Sequence, residues 1–394
     1  MSKSVSLLLV LLLLTSSHLI VSLPVKADRT LVVPDDYPTI TSAIDSAAAG
    51  DTILVKEGTY EGPVNQTIVI DKTLSIVGDN AENTIIKLYP AYNISWILTA
   101  SFFSYSDAIT INADNVRLSS LTIFLSNPGG YITVNGDMTQ IGGNNIIAGP
   151  EVGLVVRGSY CNITDNIPIG SSKFFNLGGY ESSGGLINLS GSSNIIARNS
   201  FSKIHISGNS NTVSNNTCWN LRLSDANQNV VSGNKIGTTT RHSTGIYVIG
   251  NSAHNVVYAN NIAGYSYDVE INSESAENNT FYRNNFINNY NNHVYIYTGN
   301  LTGTSNFWDN GYEGNYWDDY NGTDNNRDGI GDTPYIIDDK NVDNYPLMYT
   351  YDIENDGVAL PPPEPFPTML VAAALLIVAV VGVGLLVYFR KRNR

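Results

Sequence analysis

The strongest constraint on the fold is a short motif that recurs along the middle of the chain. Each copy begins with two apolar residues separated by one other residue, and continues through a polar turn to two asparagines. Successive pairs begin 17 to 33 residues apart. An apolar period of two indicates β-strands, and a strand this short cannot bury its apolar face alone. The pairs are Ile109/Ile111, Ile132/Val134, Leu154/Val156, Ile187/Leu189, Ile204/Ile206, Leu221/Leu223, Ile246/Val248, Val269/Ile271 and Val294/Ile296.

Stacking such units coil upon coil joins their apolar faces into one continuous core. The sequence therefore predicts an all-β fold, a right-handed parallel β-helix solenoid over residues 28–310. We expect the second asparagine of each motif to occupy a tight left-handed corner and to hydrogen-bond along the axis as a ladder. These asparagines are Asn199, Asn216, Asn234, Asn260 and Asn284.

Both ends of a solenoid need a cover. Between Pro38 and Gly50 the apolar residues keep helical spacing, which predicts a short N-terminal capping helix before a strand over residues 52–56. Residues 311–350 are predicted to form a C-terminal cap segment. An aromatic group is expected to cover the last coil; it comprises Phe307, Trp308, Tyr312, Tyr316, Trp317 and Tyr320.

The two ends of the chain predict export and anchoring. Residues 1–27 contain Lys3, an apolar run and a small-x-small site, as a signal peptide does. Residues 368–389 are uncharged and apolar, long enough for a transmembrane helix of ~30 Å. The basic tail 390–394 is expected to stay in the cytoplasm, and residues 351–367 form a Pro-rich spacer. We therefore expect an extracytoplasmic domain anchored in the plasma membrane, in type I orientation.

The exported part is strongly acidic. The chain has 21 basic and 35 acidic residues, and six of the basic ones lie in the signal and the tail, which leaves a net charge of about −20. This charge opposes nucleic acid as a partner. A surface rich in Asn, Thr and Tyr suits a glycan or another cell-envelope component. Eight Asn-x-Ser/Thr sequons are compatible with a glycoprotein, and Cys161 and Cys218 are expected to stay unpaired.

Several stretches resemble known β-helix families. Residues 33–40 and 50–60 are similar to the start of pectin-lyase-like β-helix proteins, and the Asn-rich coils and the segment from Gly314 resemble NosD-type surface proteins with PbH1 repeats. The resemblance implies a copper-associated role in the periplasm. The chain offers copper little support, because no His-x-His, Cys-x-x-Cys or Met-rich cluster occurs in it.

The strongest metal motif is an Asp-rich loop over residues 324–332. Oxygen-bearing side chains alternate along it, and Gly329 stands where a calcium loop makes its sharp turn. The expected ligands of Ca²⁺ are Asp324, Asn326, Asp328, the carbonyl of Ile330, and Asp332. The loop lacks the glutamate of an EF-hand at position twelve, and a turn without an ion remains the alternative.

A second candidate site follows from strand geometry. If each apolar pair points inward, the residue between its members points outward. With the positions just before the later pairs, this places His205, Arg222, Tyr247, Asp268, Glu270, His293 and Tyr295 on one strand face. Tyrosines and charged groups together suit sugar binding. A solvated polar face without a ligand is the alternative.

The motifs of known β-helix hydrolases and lyases are absent from the sequence. We therefore expect a non-catalytic protein that binds glycans or envelope components. The alternatives are a polysaccharide hydrolase or lyase with Asp268 and Glu270 as its carboxylates, and a NosD-like role with copper.

Overall fold

Short strands make up almost all of the regular secondary structure in the part of the chain that the structure describes. The structure is a computed structural model, and it describes residues 28–97, 100–125, 130–148, 153–167, 185–237, 244–297 and 304–356. The chain divides into two units, Met1–Asn355 and Asp356–Arg394, and the second is described only at its first residue.

The described residues contain helices α1 (Ile40–Ser46) and α2 (Ile353–Asp356) and a long series of strands. The first strands in chain order are β1 (Thr30–Val33), β2 (Thr52–Val55), β3 (Gly58–Val64), β4 (Ile68–Ile70), β5 (Ser75–Gly78), β6 (Thr84–Tyr89), β7 (Tyr92–Ile97), β8 (Ala100–Tyr105), β9 (Asp107–Ile111), β10 (Arg117–Ser119), β11 (Thr122–Leu125) and β12 (Tyr131–Val134). The next are β13 (Gln140–Gly142), β14 (Asn145–Ile147), β15 (Gly153–Val156), β16 (Asn162–Thr164), β17 (Leu186–Leu189), β18 (Ile195–Ala197), β19 (Lys203–Ile206), β20 (Thr212–Ser214), β21 (Thr217–Cys218), β22 (Asn220–Ser224) and β23 (Val230–Ser232). The last are β24 (Lys235–Gly237), β25 (Thr244–Ile249), β26 (Val256–Tyr258), β27 (Asn261–Ala263), β28 (Tyr267–Asn272), β29 (Thr280–Tyr282), β30 (Asn285–Ile287), β31 (Val294–Ile296), β32 (Tyr316–Trp317), β33 (Tyr335–Ile336) and β34 (Val342–Asp343).

The strands stack into three parallel faces. The first face is an eleven-stranded sheet, β1-β2-β5-β10-β13-β16-β18-β20-β23-β26-β29. The second face consists of a four-stranded sheet, β14-β11-β6-β3, and a five-stranded sheet, β21-β24-β27-β30-β32. The third face is a ten-stranded sheet, β31-β28-β25-β22-β19-β17-β15-β12-β9-β4. Because one coil supplies one strand to each face in turn, as β20, β21 and β22 do, the predicted parallel β-helix is confirmed.

The apolar pairs fill the interior as predicted. Every pair lies on the third face, and neighbouring pairs are in register, as Ile204 is with Leu221 and Val269 with Val294. All members are buried except Ile296, which is half-buried at the end of the stack. Cys161 and Cys218 are buried and free, as expected.

The predicted asparagine ladder is present, and it is longer than the sequence motif indicated. In each coil the backbone N–H and the Nδ2 group donate to the Oδ1 of the asparagine in the next coil, at distances such as 3.0 and 2.9 Å from Asn234 to Asn260. The ladder ends where the backbone N–H and the Nδ2 group of Asn315 donate to Oδ2 of Asp343. Its members are Asn144, Asn166, Asn199, Asn216, Asn234, Asn260, Asn284 and Asn315.

One detail of the ladder prediction is wrong. The left-handed backbone belongs to the residue before each predicted ladder asparagine, at Arg198, Asn215, Gly233, Ala259 and Arg283. The reason is that the asparagine must point inward with its own N–H aligned on the next coil. The tight bend is therefore displaced by one position, and several of these corners bear side chains other than Asn or Gly.

The N-terminal end is covered by helix α1, where the capping helix was predicted. Thr39 caps the helix and forms a capping box with Ser42. At the other end of the helix Lys72 Nζ donates to the carbonyls of Ile44 and Ala47 at 2.9 and 3.1 Å. A cation at this position neutralises the negative end of the helix dipole.

The C-terminal end is covered by part of the predicted aromatic group. Trp308 and Trp317 are buried and stack on Phe281 and Phe286, each with ring centroids 4.5 Å apart. Phe307 and Tyr312 are exposed, so the prediction that they cover the last coil is wrong. A pattern of aromatic residues shows that a cover exists, but in a segment with little regular structure it does not show which rings point inward.

The predicted signal peptide, the transmembrane helix over residues 368–389 and the basic tail lie outside the described residues, as does the spacer beyond Asp356. Among the helices that the structure describes, none combines the length and the apolar character needed to cross a membrane.

Candidate functional site

The third face carries the predicted outward row. Adjacent strands place His205 beside Arg222, Arg222 beside Tyr247, Tyr247 beside Glu270, and Glu270 beside Tyr295. Tyr295 is exposed and the other four are half-buried. Five of the six predicted ligand-binding residues thus share one surface, with neighbours about 4.8 Å apart.

The end of this row is aromatic. The ring of Tyr267 stacks on that of Tyr295 with centroids 4.9 Å apart. Beside it, Glu270 accepts a hydrogen bond from Thr244 Oγ1 at 2.8 Å, which holds the carboxylate across the face. Flat rings beside an oriented acceptor are the groups with which proteins bind sugar rings and hydroxyls.

Asp268 and His293 do not lie on the exposed row, which corrects the prediction for both. Asp268 is 0% exposed and His293 is 1% exposed. Each stands directly before an inward residue, Val269 or Val294: His293 precedes β31, and Asp268 is the second residue of β28. Both are buried next to a buried neighbour, so side chains do not alternate at the start of these two strands, and counting back from the apolar pair misplaced them. Asp268 therefore cannot act with Glu270 as a pair of carboxylates on one accessible surface.

The two buried residues instead form a cluster with the C-terminal cap. Asp268 Oδ2 lies 2.5 Å from His293 Nδ1. On the other side of the ring, Nε2 lies 3.0 Å from Asp318 Oδ1 and 3.3 Å from Asp319 Oδ1. We call these four residues the histidine cluster. Asp318 and Asp319 belong to the predicted cap segment. No spacing in the sequence relates them to His293, which lies 25 residues before Asp318.

Electrostatics make the histidine ring a centre of positive charge. Burial lowers the pKa of His293, but the hydrogen bond to Asp268 and the charges of Asp318 and Asp319 outweigh it, so the pKa is raised overall. Burial raises the pKa of Asp268 to about 6. Three carboxylates around one imidazole favour a positive charge at Nε2, which a proton or a metal ion can supply.

The Asp-rich loop is largely exposed, and its acidic side chains accept hydrogen bonds from other residues of the same loop. Asp324 accepts hydrogen bonds from the N–H groups of Asp328 and Gly329, and Asp328 accepts one from that of Ile330. Asp332 accepts from Asn325. Gly329 has a φ of +87°, in keeping with the sharp turn predicted there. Calcium binding by Asp324, Asn326, Asp328, Ile330 and Asp332 stays a prediction.

Comparison with known proteins identifies the class. A family model described as "Periplasmic copper-binding protein (NosD)" matches residues 114–322, more than half of the chain. The chain belongs to this family, and the resemblance inferred from its coils is confirmed. No curated protein matches the chain.

Several solved structures are similar at low sequence identity. The Dettilon tailspike protein (gp208) is 15% identical with a TM-score of 0.44, over 65% of this chain and 62% of its own. The A-module of the Azotobacter vinelandii mannuronan C-5 epimerase AlgE6 is 12% identical with a TM-score of 0.33, over 68% of this chain and 93% of its own. A PL6 family polysaccharide lyase from Pseudopedobacter saltans is 14% identical with a TM-score of 0.34, over 71% and 91%.

The family description names copper, and the described residues do not fit a copper site. Burial raises the pKa of Cys161 to about 11 and that of Cys218 to about 12, so both stay thiols and are poor ligands. The metal-compatible group of His, Cys, Asp and Glu side chains in the described part of the chain has one imidazole and two carboxylates. Copper proteins use several imidazoles or soft sulfur ligands.

Proposed function

We propose that this chain is an extracytoplasmic, membrane-anchored β-helix protein that binds a neutral glycan of the cell envelope along its third face. The observation that carries the proposal is the in-register outward row, which ends in the stacked pair Tyr267 and Tyr295 beside the oriented carboxylate of Glu270. The anchor is the apolar stretch of residues 368–389, and the family's periplasmic description supports export.

Charge decides between kinds of glycan. With a net charge near −20, the exported part repels an acidic polysaccharide over the Debye length of about 8 Å at physiological salt. Within the row only Arg222 and His205 can offset this. Stacking on tyrosine and hydrogen bonds to Glu270 do not require a charged ligand, so a neutral chain of sugars is the better fit.

We expect Tyr295→Ala to weaken glycan binding about tenfold, because the loss of one stacked aromatic contact costs about 1–1.5 kcal/mol. Binding is measured by calorimetry on a polysaccharide chosen from a panel with the wild-type protein. The matched control is Tyr282→Ala, which removes a tyrosine stacked on Tyr258 at 5.1 Å on the first face. Equal losses in the two variants, or none in Tyr295→Ala, would contradict the proposed surface.

The alternative is a polysaccharide-active enzyme. Of its two expected carboxylates, only Glu270 lies on this surface. Glu270 is accessible, whereas Asp268 is buried against His293. Hydrolysis and most lyase reactions need a second group near the scissile bond. The test is to measure the release of products from the same polysaccharide panel. Release by the wild type that is lost in Glu270→Gln would show that the protein is an enzyme and not a binding protein.

The Asp-rich loop is proposed to bind Ca²⁺. A ligand that binds only the folded state stabilises it by about 2.7 kcal/mol at a hundred times its dissociation constant. We therefore expect a chelator to lower the melting temperature of the wild type. In Asp328→Ala the chelator should have no effect. A wild-type melting temperature that is the same with Ca²⁺ and with chelator would remove the loop from consideration.

A further inference from the structure

We propose that the histidine cluster is a binding site for a first-row divalent cation of the Zn²⁺ type. His293 Nε2, Asp318 Oδ1 and Asp319 Oδ1 are the ligand atoms, and Asp268 orients the imidazole. The site is separate from the third-face row and from the Asp-rich loop, so it stands or falls independently of the proposed function.

The three ligand atoms converge from different parts of the fold. His293 lies just before β31, and Asp318 and Asp319 follow β32. The pairing of Phe286 with Trp317 brings the end of β32 against the preceding coil. The three atoms lie within 4.8 Å of one another.

Each carboxylate has one oxygen held by the protein and one turned to the histidine. Asp318 Oδ2 accepts the N–H of Asn288, and Asp319 Oδ2 accepts the hydroxyl of Tyr335 at 3.2 Å. Their Oδ1 atoms face His293 Nε2. Carboxylates oriented in this way are preorganised, because the outer hydrogen bonds fix which oxygen is presented to the centre.

The Nε2 atom of His293 supplies the second, independent observation. It is buried and has no hydrogen-bond partner in the described structure, although two carboxylate oxygens lie at 3.0 and 3.3 Å. The oxygens are close but not aligned with the ring N–H direction, so they flank Nε2 without bonding to it. A buried polar atom left in this state is costly, and an ion between the three atoms would satisfy all of them.

The separations fit a small ion. Ligands about 2.1 Å from a metal are ~3.0 Å apart at right angles and ~3.4 Å apart in a tetrahedron. The observed 3.0 and 3.3 Å lie within that range. Ca²⁺ prefers oxygen ligands alone at 2.3–2.6 Å, and copper prefers more nitrogen or sulfur, whereas one imidazole with two carboxylates suits Zn²⁺.

The surroundings match a metal-bound histidine. A ligating imidazole usually donates its other N–H to a carboxylate, and here Nδ1 lies 2.5 Å from Asp268 Oδ2. Trp317 packs edge-on against the ring, with centroids 5.6 Å apart, and keeps the inner side dry. The Asp319 side chain is 60% exposed, so the outer side remains open to water or another ligand.

The test is Zn²⁺ titration of the full chain by calorimetry after removal of metals with a chelator. We expect one Zn²⁺ per chain in the wild type. The double variant Asp318→Asn/Asp319→Asn should bind at least ~10- to 100-fold more weakly, and Asp268→Asn about tenfold more weakly. Co²⁺ bound to the wild type should give visible absorption bands that the double variant lacks.

Two controls make the result specific. Asp339→Asn removes an exposed acid of the same cap, and Asp328→Ala removes the centre of the Asp-rich loop; both should bind Zn²⁺ like the wild type. If circular dichroism shows that the double variant is unfolded, Asp319→Asn alone replaces it, with an expected weakening of about tenfold. No Zn²⁺ binding by the wild type, equal binding by the folded cluster variant, or equal loss in a control overturns the proposal.

Discussion

Replacing Asn260 with alanine is expected to lower the free energy of unfolding by about 4 kcal/mol, since buried donors and acceptors left unpaired cost about 1–3 kcal/mol each. The side chain is 0% exposed. Its Nδ2 donates to Val231 O and Asn284 Oδ1 at 2.9 Å each, and its Oδ1 accepts both N–H groups of Asn234. Alanine fills none of these roles, so the partners lose these hydrogen bonds in a fully buried site.

The measurement is urea-induced unfolding followed by circular dichroism. Asn251→Ala is the control, because Asn251 is an exposed asparagine of the same coil and should change stability by less than about 0.5 kcal/mol. Stacked coils can also unfold in parts, so a broadened transition in Asn260→Ala would be a further sign of a broken ladder. Similar midpoints for the two variants would show that the ladder contributes little.

The ladder illustrates how far the sequence alone could predict this fold. The repeat of apolar pairs fixes which side chains point inward, because burial on one face allows only one register. The same alternation correctly placed Arg222, Tyr247 and Tyr295 on the outside. A second ladder was missed, although its asparagines recur one strand earlier in each motif. Its members are Asn194, Asn211, Asn229, Asn255, Asn279, Asn306 and Asn341.

The histidine cluster could not be predicted, for a physical reason. His293 and Asp268 lie at the starts of β31 and β28, where side chains do not alternate, and Asp318 lies in a cap that has almost no regular structure. Their meeting depends on how the cap folds back over the last coil, which no local period describes. Trp317 packs on Phe286 for the same reason, whereas Tyr312 from the same aromatic group does not.

The ladder that contains Asn260 ends on Asp343, and this ending predicts a pH effect. Asp343 is 0% exposed and accepts hydrogen bonds from Asn315, Trp317 Nε1 and the N–H of Tyr345. Burial nevertheless raises its pKa to about 7, because the donors offset only part of the lost hydration. The folded protein therefore keeps this carboxyl protonated at pH values where the unfolded chain, with a pKa of about 3.9, has lost the proton.

The sign of the effect follows from proton counting. Between about pH 4 and pH 7 the folded state holds one more proton at this site than the unfolded state, so stability falls as pH rises. From pH 5 to pH 8 the loss amounts to about 3 kcal/mol, at 1.36 kcal/mol per pH unit up to a pKa of about 7. Asp343→Asn is neutral at every pH and cannot show this loss.

We therefore expect the difference in free energy of unfolding between Asp343→Asn and the wild type to shift by about 3 kcal/mol in favour of the variant from pH 5 to pH 8. Comparing the two proteins at each pH cancels the contributions of Asp268 and His293, which both retain. Asp339→Asn, an exposed aspartate of the same cap, serves as the control with a constant difference. If the difference in free energy of unfolding between Asp343→Asn and the wild type also stays constant with pH, Asp343 is a charged carboxylate in the folded protein. Its hydrogen-bond donors would then outweigh the cost of burying the charge.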